Sequence, residues 1–173
     1  MNENVDPATM REVQPTTTED AMAACGESLV GEGSFEAKVL FAEQAPFPSA
    51  GKVLAFNGVV DGRPAILAHV YGTKPVPTSF TLPFVLTHAR GEFGTVLSAS
   101  IPQATGSAGY ITGLSMKLGR TFSVGGRTRS YLSAGCPAPK GFPGASFPFA
   151  RASFAFAGRT LSSTLTRSCG ARG

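Results

Sequence analysis

The chain has 173 residues, of which 42% are hydrophobic and 15% are charged, and its formal net charge at pH 7 is +4. This balance excludes an intrinsically disordered chain, because enough apolar surface can be buried to offset the lost conformational entropy. No apolar run approaches the roughly 18 residues of a membrane-spanning helix. We expect one folded domain over 18–173, preceded by a flexible or loosely attached segment over 1–17.

The first predicted element is a short helix that follows this segment. Thr18 can cap the helix, Glu19 and Asp20 place negative charge in its first turn, and Gly26 ends it. No other stretch of the chain carries a helix signal.

From Gly31 onward the sequence has the pattern of an all-β protein. Gly and Pro interrupt runs of alternating apolar and polar residues at intervals of about 8 to 12 residues. Phe35 and Ala37 are predicted to face the core, and Pro83 predicts an edge strand or a bulge. We therefore predict an antiparallel two-sheet β-sandwich of about eight to ten strands. A flattened β-barrel is the alternative, and either fold carries the one short N-terminal helix.

Asp61-Gly62 is the clearest predicted hairpin turn, because both residues tolerate the positive φ of a type I′ turn. It places Leu54 opposite His69 and Phe56 opposite Leu67. Gly125-Gly126 predicts a second two-residue turn. An inward-facing stripe is expected before it, consisting of Leu114, Met116, Leu118, Phe122 and Val124.

The turn at Gly125-Gly126 also predicts two cation–π contacts, with Arg129 beside Phe122 and Tyr131 beside Arg120. Gly158-Arg159 predicts the last hairpin. That turn places Phe156 opposite Leu161 and Cys169 opposite Pro148.

The three cysteines have none of the short paired spacings that zinc or redox sites use, so we expect neither a metal nor a cofactor. A disulfide between Cys136 and Cys169 would join a Pro-rich loop to the last strand. Buried free thiols are the alternative. Cys25 is left over, and its partner is not evident.

A disulfide indicates an oxidising compartment, so the expected location is secreted or associated with the cell envelope. Residues 1–11 lack the basic start and apolar stretch of a signal peptide. We therefore expect the export signal to lie upstream of Met1.

Charge is distributed unevenly along the sequence. All eleven acidic residues lie within the first 92 positions, whereas the remaining 81 carry nine basic residues and no acid. One interpretation is a basic face that binds an anionic cell-envelope polymer or an acidic protein. The other is that strands of the two halves interleave and neutralise each other. Nucleic acid is the least favoured partner, because the aromatic residues mostly alternate inward. The candidate binding residues are Arg120, Arg127, Arg129, Lys140 and Arg151.

His69 and His88 are the candidate general bases, with Asp61, Glu92 or Ser79 nearby in sequence. The Gly-x-Ser-x-Gly, P-loop and His-Glu-x-x-His motifs are all absent. The function that we predict is a non-catalytic extracytoplasmic module that binds or structures something at the cell envelope. The alternative is a hydrolase or isomerase that uses one of the two histidines in a cleft of the sandwich.

Four segments carry a resemblance to a known family: Gly51–Gly58, Ala68–Tyr71, Ser130–Pro139 and Thr164–Cys169. In them the chain resembles a family of exported proteins of high-GC actinobacteria to which no activity is attached. The match runs from about Gln14 to Cys169 and includes Cys136. It implies an exported all-β protein with an export signal and further strand sequence before this region, and it implies nothing about mechanism.

Overall fold

The computed structural model describes the backbone of residues 5–6, 11–12, 16–40, 44–100, 109–132, 145–156 and 158–169. In this part of the chain there are twelve strands, a single short α-helix and one turn of 3-10 helix. All strand pairs with a described register are antiparallel, so the predicted all-β class is confirmed.

The elements follow one another along the chain, and several strands continue through a glycine or a proline. They are β1 (Val5–Asp6), β2 (Arg11–Glu12), α1 (Thr18–Cys25), the 3-10 turn (Gly26–Ser28), β3 (Leu29–Val39), β4 (Phe47–Val60), β5 (Arg63–Gly72), β6 (Thr78–His88), β7 (Thr95–Ser98), β8 (Gly109–Leu118), β9 (Thr121–Val124), β10 (Arg127–Ser130), β11 (Ala145–Phe156) and β12 (Arg159–Cys169). The two shortest, β1 and β2, form a sheet of two strands within the described residues.

The described residues form two compact units. The first contains the described residues up to Thr87 together with Leu97–Leu132, and the second contains His88–Val96, 145–156 and 158–169. The expectation of one domain over 18–173 stays a prediction.

A six-stranded sheet in the order β7-β6-β5-β4-β3-β8 is the centre of the first unit. The predicted hairpin between β4 and β5 is confirmed, because Asp61 and Gly62 take φ values of 50° and 73°. Leu54 lies opposite His69 and Phe56 lies opposite Leu67, as the type I′ turn requires.

The main core covers one face of this sheet, and the sheet is curled around it. Phe84 of β6 and Met116 of β8 both pack against the cluster that contains Ala55 and Ile66, although their strands lie far apart in the sheet. Neighbouring positions on the same face continue the core with Phe35, Val53, Ala68, Val70 and Leu82.

The Phe35 ring is buried beside two glycines, Gly51 and Gly72, whose lack of side chains makes room for it. Gly51 pairs with both Phe35 and Gly72. A Cβ at Gly51 would lie 2.7 Å from a ring carbon of Phe35, and a Cβ at Gly72 would lie 2.9 Å from another. The ring therefore fills the space that the two missing side chains leave.

Helix α1 packs on the opposite face of the sheet, where Ala21 contacts Leu54 and Phe56. The predicted cap at Thr18 is wrong by one residue. Thr17 is the N-cap, because its side chain accepts from the Asp20 amide and the Asp20 carboxylate accepts from the Thr17 amide. This capping box satisfies two helix-end donors reciprocally.

The predicted edge position of Pro83 holds in part, although β6 is not the outermost strand of the sheet. Strand β6 lies between β5 and β7, with Pro83 opposite Leu67 of β5. Because β7 has four residues against eleven in β6, most of β6 has a described neighbour on one side only. A proline without an N–H is tolerated on such an unpaired side.

The second unit is built on a long two-stranded ribbon of β11 and β12, and its predicted register is wrong. Phe156 pairs with Arg159, and Phe154 rather than Phe156 lies opposite Leu161. Gly158 takes a φ of 74°, so the turn ends one residue earlier than expected. A bulge after Pro148 shifts the pairing again and places Cys169 opposite Ala145.

Candidate functional site

Strands β9 and β10 form a hairpin, called the basic hairpin here, that carries two of the predicted binding arginines. Gly125 and Gly126 take φ values of 58° and 73°, which confirms the predicted two-residue turn. Arg127 lies opposite Val124 and Arg129 lies opposite Phe122, so these four share one face. The other face bears only hydroxyl side chains, those of Thr121, Ser123, Thr128 and Ser130.

The base of the basic hairpin is held to the sheet by Arg120 and Tyr131. The Tyr131 amide donates to the Arg120 carbonyl (2.7 Å), and the Tyr131 hydroxyl donates to Asn57 Oδ1 (2.7 Å). Partial burial raises the pKa of the Tyr131 phenol, which keeps this hydroxyl a donor. The Arg120 guanidinium donates to the carbonyls of Glu27 and Leu29.

The tip of the basic hairpin is exposed, contrary to the predicted inward stripe. Phe122 is 44% exposed and Val124 is 61% exposed, whereas Met116 and Leu118 of the same predicted stripe pack against the core. Arg127 and Arg129 are exposed as well. Among the described residues neither guanidinium forms an ion pair, and the predicted cation–π contact of Arg129 with Phe122 is not formed.

Two other cations of the C-terminal half have an acidic neighbour within their own unit. Lys117 of β8 lies directly opposite Glu32 of β3. Arg151 of β11 donates to Glu92 (Nη2 to Oε2, 3.0 Å), and its guanidinium lies 5.0 Å from the centre of the Phe93 ring. The interleaving interpretation therefore holds at Arg151, whereas Arg127 and Arg129, like the exposed Arg159 and Arg167 of β12, form no ion pair among the described residues.

Two further predicted binding residues do not add to this pair. Arg120 uses its guanidinium to fix the start of β3, and Lys140 lies outside the described residues. An open groove of about 500 Å³ lies beside Arg120, lined also by Lys117, Glu32 and the Gly26 end of the helix. Its two cations are Lys117, which lies opposite Glu32 in the strand register, and Arg120, which donates to backbone carbonyls.

His69 holds the segment that leads into helix α1. It is 8% exposed, and its Nε2 lies 3.0 Å from the Thr16 carbonyl. Because a carbonyl oxygen only accepts, Nε2 carries the proton in this contact. The Thr16 amide in turn donates to the hydroxyl of Ser79, which is fully buried (2.9 Å).

The carboxylates that the sequence offered to the histidines lie elsewhere. Asp61 is in the β4–β5 turn. Strand β5 begins after this turn at Arg63, six residues before His69, so the turn is about 20 Å from His69 at the rise of a strand. Glu92 is paired with Arg151. His88 is exposed at the end of β6. Within the described ranges no group of three or more His, Cys, Asp or Glu side chains is arranged to hold a metal ion.

The described cysteines lie in separate parts of the fold. Cys25 is a free, exposed thiol at the end of α1, and Cys169 is half-buried at the end of β12. Cys136 lies outside the described residues, so its pairing with Cys169 stays a prediction.

Comparison with known proteins found no matching family model, curated protein or solved structure. None of the described helices is long and apolar enough to cross a membrane. The basic hairpin is therefore a candidate binding site on the basis of its geometry alone.

Sequence reasoning missed two parts of this arrangement. The role of Thr16 depends on a contact 53 residues away in sequence, and the partner of Arg151 is 59 residues away. Both contacts follow from tertiary packing, and no local pattern marks them.

Proposed function

We propose that this protein is a non-catalytic binding module of the cell envelope that contacts anionic partners through the basic hairpin. The observation that carries the proposal is the exposed pair Arg127 and Arg129, which has no carboxylate partner in the described chain. An anion-binding surface needs such uncompensated cations, whereas a structural cation is paired, as Arg151 is.

The chemistry of the pair favours a polymer of carboxylates or phosphates. Arginine presents a planar fork of donors that binds either group with two parallel hydrogen bonds. Residues 127 and 129 lie two apart on one strand face, about 7 Å from each other at the rise of a strand. A linear polyanion with repeating charges can meet both guanidinium groups at once and with a separate charge at each.

The neighbouring side chains add a second kind of contact. Phe122 and Val124 lie on the same face as the two arginines and are exposed. Apolar side chains beside guanidinium groups shield a bound anionic group from water, which strengthens the attraction. The hydroxyl face of the hairpin offers further donors to a polar polymer.

Export to an oxidising compartment is part of the proposal. The resemblance to exported actinobacterial proteins and the predicted Cys136–Cys169 disulfide support it. The intact mass of the non-reduced native protein should be lower than the reduced mass by two hydrogen atoms, and thiol labelling should find only Cys25. Three reactive thiols would contradict the disulfide and remove this argument for export.

The binding test uses polyphosphate and poly-glutamate as probes, with neutral dextran as the uncharged control. We expect the full chain to bind both anionic polymers and not dextran. The double substitution Arg127→Ala with Arg129→Ala should abolish binding or weaken it at least tenfold. It should also lower the slope of log affinity against log salt by about 2, one for each lost contact.

The matched control is Lys52→Ala with Arg63→Ala, which removes the same charge from two exposed residues of the β4–β5 hairpin. Under the proposal this pair retains wild-type binding. Equal weakening by both double variants would mean that only net charge matters, and the basic hairpin would not be the site.

A further inference from the structure

We propose that the open edge of β12 is an interaction surface for a second copy of this chain. Strands β11 and β12 form a sheet of only two strands among the described residues, so each has one edge without a described neighbour. Such an edge presents a row of N–H and C=O groups that another strand can pair with. This inference goes beyond the proposed function and does not depend on it.

The two edges of the ribbon are not equivalent, and this selects β12. Strand β11 contains Pro148, followed by the bulge at Phe149, and both features interrupt an edge. Strand β12 has eleven residues without proline, lysine or bulge, and all of 159–168 is exposed. Proline and a bulge, two natural devices that protect an edge, are therefore present on β11 and missing from β12.

The turn geometry shows which backbone groups of β12 point outward. Phe156 and Arg159 close a two-residue loop, so they form a hydrogen-bonded pair, and such pairs alternate along an antiparallel ribbon. The odd-numbered residues of β12 consequently bond β11. The even-numbered residues, Thr160, Ser162, Thr164, Thr166 and Ser168, direct their amides to the open edge.

Side-chain charge then selects one register for two antiparallel copies of β12. Pairing centred on Ser163 would place Arg159 opposite Arg167 of the other copy, and like charges directly opposite each other are unfavourable. Pairing centred on Thr164 places Leu161 opposite Arg167 and joins the hydroxyl residues into one continuous face. Both β12 edges are consumed in this arrangement, so assembly stops at a two-fold dimer with a four-stranded sheet.

The first test is the mass in solution at increasing concentration of the full chain, whose monomer is 17.8 kDa. We expect a concentration-dependent rise to twice that mass. Ser162→Pro removes one outward amide and should leave the protein monomeric, whereas Ser162→Ala should dimerise like wild type. Both variants lose the 2.9 Å hydrogen bond to the Ser153 hydroxyl, so a difference between them does not come from this bond.

The second test does not depend on the folding of a proline variant. In a Cys25→Ser background, Thr164→Cys places two thiols on the proposed two-fold axis. Directly paired Cα atoms there would be about 5.5 Å apart, within the range that a disulfide spans. Thr160→Cys is the control, because residue 160 would face residue 168 of the other copy.

Dimerisation of wild type, its loss in Ser162→Pro and oxidation to a covalent dimer at 164 but not at 160 would support the proposal. A mass of 17.8 kDa at every concentration would overturn it. So would a folded Ser162→Pro variant that dimerises like Ser162→Ala, or equal covalent dimer at 160 and 164.

Discussion

Thr16 is held at both of its backbone polar groups by side chains of the central sheet. Its amide donates to Ser79 and its carbonyl accepts from His69. These bonds fix the chain one residue before the Thr17 cap, so they determine where helix α1 begins on the sheet. This structural role is enough to explain why His69 is nearly buried, and no catalytic role is needed for that.

His69→Leu is expected to lower the free energy of unfolding by about 1 kcal/mol, the typical net contribution of one hydrogen bond. Urea denaturation of the purified variant measures this loss. His88→Leu is the matched variant, because His88 is exposed, and it should change stability by less than about 0.5 kcal/mol. Equal effects of the two substitutions would contradict the anchoring role of His69.

The exposure of aromatic residues differs sharply between the two units. Phe35 is 5% exposed in the core of the first unit, whereas Phe154 on the β11–β12 ribbon is 60% exposed. Alternation alone predicts that each of these side chains lies on the apolar face of its own strand. It does not tell which side another element covers, which is why Phe122 and Val124 were wrongly expected to face inward.

Phe35→Ala should lower the free energy of unfolding by about 3 to 5 kcal/mol, because it leaves a cavity beside Gly51 and Gly72. Phe154→Ala should change it by less than about 0.5 kcal/mol. Chemical denaturation of the two variants under the same conditions makes the comparison. A large loss for Phe154→Ala would mean that the ribbon face is covered in solution.

At the scale of elements, helix α1 depends on its capping box. The side-chain and backbone hydrogen bonds from Thr17 lower the pKa of Asp20 below its ordinary value of 3.8. A group with a lowered pKa in the folded state stabilises the fold above its unfolded pKa. That stabilisation is lost as the pH falls through the lowered pKa.

Asp20→Ala should therefore destabilise the protein by a constant amount above pH 3.8, and the difference from wild type should shrink as the pH falls further. Urea midpoints of both proteins across the acidic range measure this difference. Glu19→Ala removes a neighbouring carboxylate that takes no part in the capping box. A stability difference between Asp20→Ala and wild type that does not change with pH would contradict the role of the Asp20 carboxylate in the capping box.

Hairpins were predictable where the turn residues are decisive. Asp61-Gly62 and Gly125-Gly126 offer two adjacent residues that accept positive φ, and both turns formed as expected. Gly158 is a single glycine with two possible neighbours in the turn, so the turn lies one residue earlier than expected and the pairing is shifted by two residues. Pro148 is a local signal of an edge strand or a bulge, but it does not determine how the pairing shifts.

For the whole molecule, the all-β class could be read from the sequence because Gly and Pro spacing reflects local backbone preferences. The division into two units could not be predicted. The contact between Glu92 and Arg151 joins the short His88–Val96 segment to a ribbon that begins more than 50 residues later. Pairing across such a distance is set by the complete fold.

The two units should differ in stability, since an isolated two-stranded ribbon is marginal whereas a covered six-stranded sheet is not. Hydrogen exchange followed by mass spectrometry should show faster exchange in β11 and β12 than in β4 and β5, whose core residues are buried. Equal protection of both regions at low concentration would contradict the independence of the ribbon.

The candidate residues predicted from the sequence fall into two groups, those engaged in the fold and those exposed to a partner. His69, Arg120 and Arg151 are engaged in holding the fold. Arg127 and Arg129 are exposed on the basic hairpin and remain available to a partner. The proposed function depends on this difference.

Amide chemical-shift mapping during titration with polyphosphate tests the proposed anion binding by the basic hairpin most directly. We predict salt-sensitive shifts confined to Thr121–Ser130 and its immediate flanks, with Thr16, His69 and Ser79 unchanged. Shifts centred on those three residues would place the binding site at the helix anchor. The absence of any shift at low salt would contradict anion binding by the basic hairpin.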